Sequence, residues 1–301
     1  MQVKLDGDPM GDWTHDVDLP NRIRATELII NVALTGCVHS VGANPHLPIT
    51  RGQIAADARR CAEQGASIFH LHARDADGLP TMHEGVYQGV VDVVREAVPG
   101  VIVCVSCSGR HTQGFIHPTG GLRIQPTPPE MASLSLGSYN SFGSVITNPP
   151  ELIQLLAERM QKWEIMPELE VFELGHIAYA HYLITKGVLQ PPYWFNLFLG
   201  NRGTAPALRG VLNWMVGLLP RTALWAGAGI GHFQYQINQW AIENGGQVRV
   251  GLEDNLWMDN DKRDPATNPR QVERIVGYAW EWGREPVSIE RAREILGMEA
   301  A

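Results

Sequence analysis

Residues 49–73 read ITRGQIAADARRCAEQGASIFHLHA, and the two halves of this stretch follow different periods. Residues 49–65 carry helical periodicity. They open after Thr50, a residue type that caps helix N-termini, and close at Gly65, where a helix C′ position favours glycine. Residues 67–73, SIFHLHA, form a short β-rich apolar run. Side chains alternate faces along a strand, so His70 and His72 look the same way.

The helix-and-strand alternation recurs along the chain. Strand-like runs are LIINVAL (28–34), SIFHLHA (67–73), VIVCVS (101–106), MASLSLG (131–137), ELEVFEL (168–174), YWFNLFL (193–199), ALWAGAG (223–229) and QVRVGLE (247–253). Helical segments between them include 49–65, 82–98, 150–163, 205–219 and 232–246. Eight strands separated by helices predict an α/β fold, a parallel (β/α)8 TIM barrel; a doubly wound open sheet is the other arrangement compatible with the pattern. No linker rich in Pro, Gly or Ser divides the chain. One catalytic barrel domain over 26–301 is therefore expected, with an N-terminal arm over 1–25 and a closing helix over 288–298.

Composition removes several function classes. With 301 residues and 44% hydrophobic content the chain can bury a full core. A net charge of −8 with scattered Lys and Arg argues against a nucleic-acid partner. The polar, acidic start of the chain and the lack of a run of about 18 uncharged apolar residues argue against a membrane and suggest a cytoplasmic protein. Four cysteines are too few for a disulfide framework in a chain of this length. Cys104 and Cys107 form a CxxC, but a spacing of three along a strand puts them on opposite faces.

In such a barrel the chemistry gathers at the C-terminal strand ends. His70 and His72 end the second strand; Arg249, Glu253 and Asp254 cluster at the end of the eighth. Two histidines and one carboxylate with open positions left over make the ligand set of catalytic zinc, and also of non-haem iron. Nothing selects for oxygen chemistry, so zinc is favoured. Two adjacent inward imidazoles are hard to satisfy in a dry interior without such a role, whereas Glu253 alone reads equally as an ion-pair partner of Arg74 or Arg249. Ser106, Ser108 and Gly109 after the third strand form a polar loop able to hold an oxyanion, with Ser133 on the fourth strand projecting toward it. GAGIGHFQ (227–234) departs from a dinucleotide fingerprint; it reads as close packing or as a place for a CoA pyrophosphate near helix N–H groups.

The combination of LTG (34–36), NPHLPIT (44–50), GASIFHLHARD (65–75), PEMASLSLGS (129–138), ELEVFELG (168–175), AGIG (228–231) and VRVGLEDN (248–255) resembles the β-keto acid cleavage enzyme family. The resemblance spans about residue 27 to residue 298. It implies a zinc-dependent barrel, commonly a homotetramer, that acts as an acyltransferase on a β-keto acid and acetyl-CoA, giving acetoacetate and a new acyl-CoA. It also implies His70, His72 and Glu253 as zinc ligands, Asp254 as the acid/base, Arg249 and Ser106 as its supports, and Ser133 near the substrate carboxylate. Arg249 is expected to lower the Asp254 pKa and keep it ionised. Family members acting on an amine-bearing substrate carry a glutamate where this chain has Val38. Together with Arg110 in the loop 108–121, that departure points to a substrate tail that is neutral or anionic. A zinc-dependent aldolase or hydrolase on the same barrel is the alternative.

Overall fold

The structure, a computed structural model, describes residues 23–108, 119–141 and 143–300. Eight parallel strands close on themselves: β1 (Ile30–Ala33), β2 (Ile68–Leu71), β3 (Ile102–Val105), β4 (Met131–Ser135), β5 (Met166–Val171), β6 (Trp194–Leu199), β7 (Leu224–Gly229) and β8 (Gln247–Val250). Closure comes from β8 lying beside β1, with Val248 opposite Ile30 and Arg249 opposite Asn31. The chain is a (β/α)8 barrel, and closure excludes the open doubly wound sheet. Every strand falls inside an expected run except β5, which starts two residues early, at Met166.

Among the described residues eight α-helices accompany the strands: α1 (Arg51–Glu63), α2 (Glu84–Ala97), α3 (Pro150–Lys162), α4 (Leu174–Thr185), α5 (Arg209–Gly217), α6 (Gln234–Glu243), α7 (Asn268–Glu281) and α8 (Ile289–Ile295). Thr50 caps α1 as expected, in a reciprocal box with Gln53, and Gly65 follows the C-cap Gln64. Helices α4 and α7 were not among the expected segments, nor was the antiparallel hairpin of Tyr139–Ser141 with Ser144–Ile146. Among the described residues no helix is long and apolar enough to cross a membrane.

The two-residue alternation divides each strand between two environments. On β2, Phe69 and Leu71 face outward into a cluster with Ile54, Ala58, Val90 and Val91 of the helices, whereas Ile68 joins a separate inner cluster. Burying one such side chain is worth about 1.5–3 kcal/mol, so a one-residue slip of β2 would exchange this gain for two histidines against the helices. The inner cluster of Ile29, Ile68, Ile102, Met131, Trp194 and Ala226 is roofed by Val287, Ala292, Ile295 and Leu296. Helix α8 thus seals the N-terminal end of the barrel. Cys104 belongs to this plug and Cys107 to the outer cluster, which separates the CxxC pair as expected. Above the plug the interior turns polar: Asn31, His70, Glu168, Asn196 and Arg249 are all buried. The apolar floor shuts one end to water and leaves the other end for chemistry.

Candidate active site

The two histidines converge at the open end. His70 Nε2 and His72 Nε2 lie 3.3 Å apart, and the Glu253 carboxylate reaches both, with Oε1 3.1 Å from His72 Nε2 and Oε2 3.8 Å from His70 Nε2. Glu253 arrives there through a forced turn after β8. Gly251 has φ +135, and a Cβ on it would lie 2.1 Å from the Ala33 carbonyl oxygen. The Glu253 amide then donates to that same carbonyl at 3.2 Å, and Asn268 at the start of α7 holds the Leu252 amide at 2.8 Å. Gly36 (φ +66) completes the close approach, since a Cβ there would meet Glu253 Cγ at 2.6 Å.

Glu168, fully buried on β5, fixes His70 from below. Its Oε2 accepts from His70 Nδ1 at 2.7 Å and its Oε1 from Asn31 Nδ2 at 2.6 Å. Burial alone would raise this carboxyl, but the charge and hydrogen bond of His70, with Arg249 and Asn31, hold it well below the usual carboxylate range. The same pairing lifts His70 against its own burial, while burial dominates at His72 and lowers it. A carboxylate on the far nitrogen of an imidazole sets its tautomer and leaves Nε2 as the donor atom toward a cation.

Arg249, 1% exposed, ties the carboxylates together: Nε to Asp254 Oδ2 at 3.0 Å, Nη2 to Glu253 Oε2 at 3.3 Å and Nη1 to Glu168 Oε2 at 3.5 Å. Arg74, the other candidate partner of Glu253, instead donates to the carbonyls of Gly36, His39 and Gly78. Asp254 is not held low, contrary to the expectation from its spacing to Arg249. Burial is the largest influence on it and raises its pKa; Arg249 opposes, Glu253 adds to the rise, and the outcome is about 6. The guanidinium is shared among three carboxylates, so it cannot hold Asp254 low by itself.

The site fits a divalent cation. Glu168, Glu170, Glu253 and Asp254 crowd around one guanidinium, an excess of negative charge that a buried site tolerates poorly. Glu253 Oε2 is buried and, beyond the charge of Arg249 Nη2 at 3.3 Å, makes no hydrogen bond among the described residues. His70, His72 and Glu253 present ligand atoms within 4.8 Å of one another, three donors with room for exchangeable positions. A second convergence of His70, Cys104 and Glu168 lies deeper and fully buried, but there His70 Nδ1 and Glu168 already bond each other.

A cavity of 520 Å³ opens from this site to the surface, lined by His72, Glu253, Asp254, Arg249, Ser106 and Ser108 at its inner part and by Val38 at its mouth. Ser106 Oγ accepts from the Ser108 amide at 3.2 Å; no hydrogen bond among the described residues joins it to Asp254. Ser133 projects toward the loop after β3, as its place on β4 predicts: it is 2% exposed, off the cavity lining, and its Oγ accepts from the Cys107 amide at 3.0 Å. Gly109 and Arg110 lie outside the described residues.

Several site residues escaped the sequence reading. Glu170 lines the cavity floor, donated to by Ser135 Oγ at 2.5 Å, and burial followed by the nearby Glu168 charge pushes it up to about 7. Phe172 and Phe198 line the wall with Tyr139. The signal was present in ELEVFEL, where 168, 170 and 172 share a face by the alternation that singled out the two histidines.

Comparison with known proteins identifies the family of the chain. The model of the beta-keto acid cleavage enzyme family matches residues 27–298. The chain belongs to this family. A 3-keto-5-aminohexanoate cleavage enzyme of Fusobacterium nucleatum is 36% identical over 276 residues, covering 91% of this chain and 98% of the relative. A 3-oxoadipate:acetyl-CoA acetyltransferase of Cupriavidus necator is 34% identical over 273 residues, covering 90% and 94%. Among solved structures the apo form of ObcA superposes with a TM-score of 0.74 at 20% identity, over 84% of this chain and 66% of that one, a likeness of fold. The family and its barrel thus bear out the resemblance read from the motifs.

Proposed function

We propose that this β-keto acid cleavage enzyme family member is a zinc-dependent acyltransferase that takes a β-keto acid and acetyl-CoA to acetoacetate and a new acyl-CoA. The observation carrying this reading is the convergence of His70 Nε2, His72 Nε2 and Glu253 on one point at the inner end of an open cavity, with Asp254 held beside it by Arg249. Zinc bound by these three side chains would supply Lewis acidity toward the β-keto oxygen. The protein does the rest. Glu168 orients His70, and Arg249 aims the Asp254 carboxyl along the cavity wall. Asp254 Oδ takes the proton from the carbon between the keto and carboxyl groups, and a pKa near 6 suits a base that must both accept and return a proton near neutrality. Ser106 and Ser108 offer hydroxyls on the cavity wall where negative charge develops on the thioester oxygen.

One relative's name supports acetyl-CoA as co-substrate and pairs it with a dicarboxylic β-keto acid; another is named for cleavage of an amine-bearing one. Val38 at the cavity mouth carries no charge to meet an ammonium, which supports a neutral or anionic tail. The test is product formation with and without acetyl-CoA. Acetoacetate only in its presence is expected. Cleavage or hydrolysis of the β-keto acid without it would favour the aldolase or hydrolase alternative.

A further inference from the structure

The wall of the cavity opposite the histidines is aromatic, and the way its rings are packed bears on the substrate tail. Phe172 follows β5 and Phe198 belongs to β6; Tyr139 comes from the hairpin after β4. Tyr139 and Phe172 stack at 3.8 Å between centroids and 15° between planes, and Phe172 and Phe198 stack at 4.5 Å and 8°. The Arg249 guanidinium lies over Phe198, 5.0 Å from its centroid. All three rings line the cavity, together with Ile230 after β7, and Ala228 packs beneath them.

Both faces of Phe172 are covered, one by Tyr139 and the other by Phe198. A ring carries its negative potential on its faces and its positive potential on its C–H edges. Attraction to an ammonium group needs an open face within about 6 Å. Phe172, covered by Tyr139 and Phe198, and Phe198, covered by Phe172 and Arg249, offer a substrate their edges, which are poor partners for a cation. Edges are good partners for an apolar group, and for the face of another ring in edge-to-face contact. A carboxylate fares no better beside the slab, because the neighbouring guanidinium is already shared among Asp254, Glu253 and Glu168.

We infer that the slab of Tyr139, Phe172 and Phe198 is the subsite for the β-keto acid's tail, and that the preferred substrate carries a flat or branched apolar group, an aryl or branched alkyl chain, beyond the keto carbon. This rests on the reading of the protein as a β-keto acid cleavage enzyme and narrows its neutral-or-anionic tail to an apolar one. The wall is carried by β5 and β6, three and four strands from β2 in the closed order, so a β-keto acid held at the histidines would direct its tail across the cavity toward the rings.

The experiment measures two quantities for β-keto acids of similar size ending in phenyl, isobutyl, carboxylate and ammonium groups. Binding to the zinc-loaded protein without acetyl-CoA is followed by calorimetry, and acetoacetate formation with acetyl-CoA gives kcat/KM. The phenyl and isobutyl acids are expected to bind at least about tenfold more tightly than the two charged ones, the scale of one well-made edge-to-face contact plus the burial of a few methylenes, with kcat/KM in the same order. In Tyr139→Ser, which uncovers a face of Phe172, the penalty on the ammonium acid should shrink while that on the carboxylate acid stays. Equal or tighter binding of either charged acid by the unaltered protein overturns the inference. So does a Tyr139→Ser variant that changes only the KM for acetyl-CoA, which would give the slab to the pantetheine arm. Acetoacetate from no acid, with the apolar acids still bound more tightly, would defeat the proposed reaction and leave the subsite standing; the separate binding measurement keeps the two failures apart.

Discussion

Replacing Glu168 by glutamine should weaken metal binding at a site the residue does not touch. Glu168 accepts from His70 Nδ1 at 2.7 Å and from Asn31 Nδ2 at 2.6 Å, with Arg249 Nη1 3.5 Å away. Glutamine is nearly isosteric but offers one acceptor oxygen and two N–H donors where three donors converge. Either His70 Nδ1 or Asn31 Nδ2 then faces an N–H, and leaving such a buried donor unsatisfied costs about 1–3 kcal/mol of folding stability. The imidazole also loses the negative charge that fixes its tautomer and makes Nε2 a stronger ligand. Loss of such an outer partner typically costs about 10- to 100-fold in metal affinity, or about 1.4–2.8 kcal/mol. Competition with a chromophoric chelator reads the zinc affinity, and urea unfolding of the metal-free protein reads the folding cost separately. Unchanged zinc affinity in a folded Glu168→Gln protein would refute the assignment of the cation to the His70, His72 and Glu253 convergence, because Glu168 would then support nothing at that point.

Other changes test other parts of the arrangement. Asp254→Asn should abolish turnover while zinc content, measured by metal analysis, stays at that of the unaltered protein; retained turnover would remove Asp254 from the proton transfer. Gly36→Ala forces a non-glycine residue into the left-handed region, at a cost of about 1–2 kcal/mol, and drives its Cβ toward Glu253 Cγ; lower thermal stability and weaker zinc binding should appear together. Glu170 sets a pH dependence of folding. Burial, then the Glu168 charge, raises its carboxyl from 4.5 to about 7, so between those values the folded chain keeps a proton that the unfolded chain has released. Its contribution to stability therefore falls as pH rises through that range. Glu170→Gln, which never ionises, should flatten that part of the stability profile measured by denaturant unfolding, and an unaltered slope would show that Glu170 is not held protonated.

The parts legible in the sequence were those where a short period carries the information. His70 and His72 share a face because they lie two apart on a strand, and Glu253 and Asp254 follow a strand end, so the barrel rule alone brought them to one rim. Glu168, Glu170 and Phe172 obey the same alternation. Their run, though, reads as a continuous strand to residue 174, whereas β5 ends at Val171 and α4 begins at Leu174. The merged reading hid both the helix and the inward carboxylates. Helix α4, LGHIAYAHYLIT, is apolar around most of its circumference and gives little contrast between faces. Helix α7 did announce itself, with Thr267 as N-cap and Pro269 in the first turn. The raised Asp254 carboxyl could not be read from spacing. It depends on how many carboxylates share Arg249 and on how little water reaches them, and both are set by strands far apart in the chain.

The proposed reaction requires the convergence of His70, His72 and Glu253 to be a zinc site serving acetyl-CoA-dependent cleavage. The most direct measurement is acetoacetate formation from acetyl-CoA and a panel of β-keto acids by the purified protein as isolated, after chelation, and after zinc is restored. Activity with at least one acid, lost on chelation and regained with zinc, is the predicted result. Acetoacetate formation that survives complete zinc removal would take the metal out of the reaction.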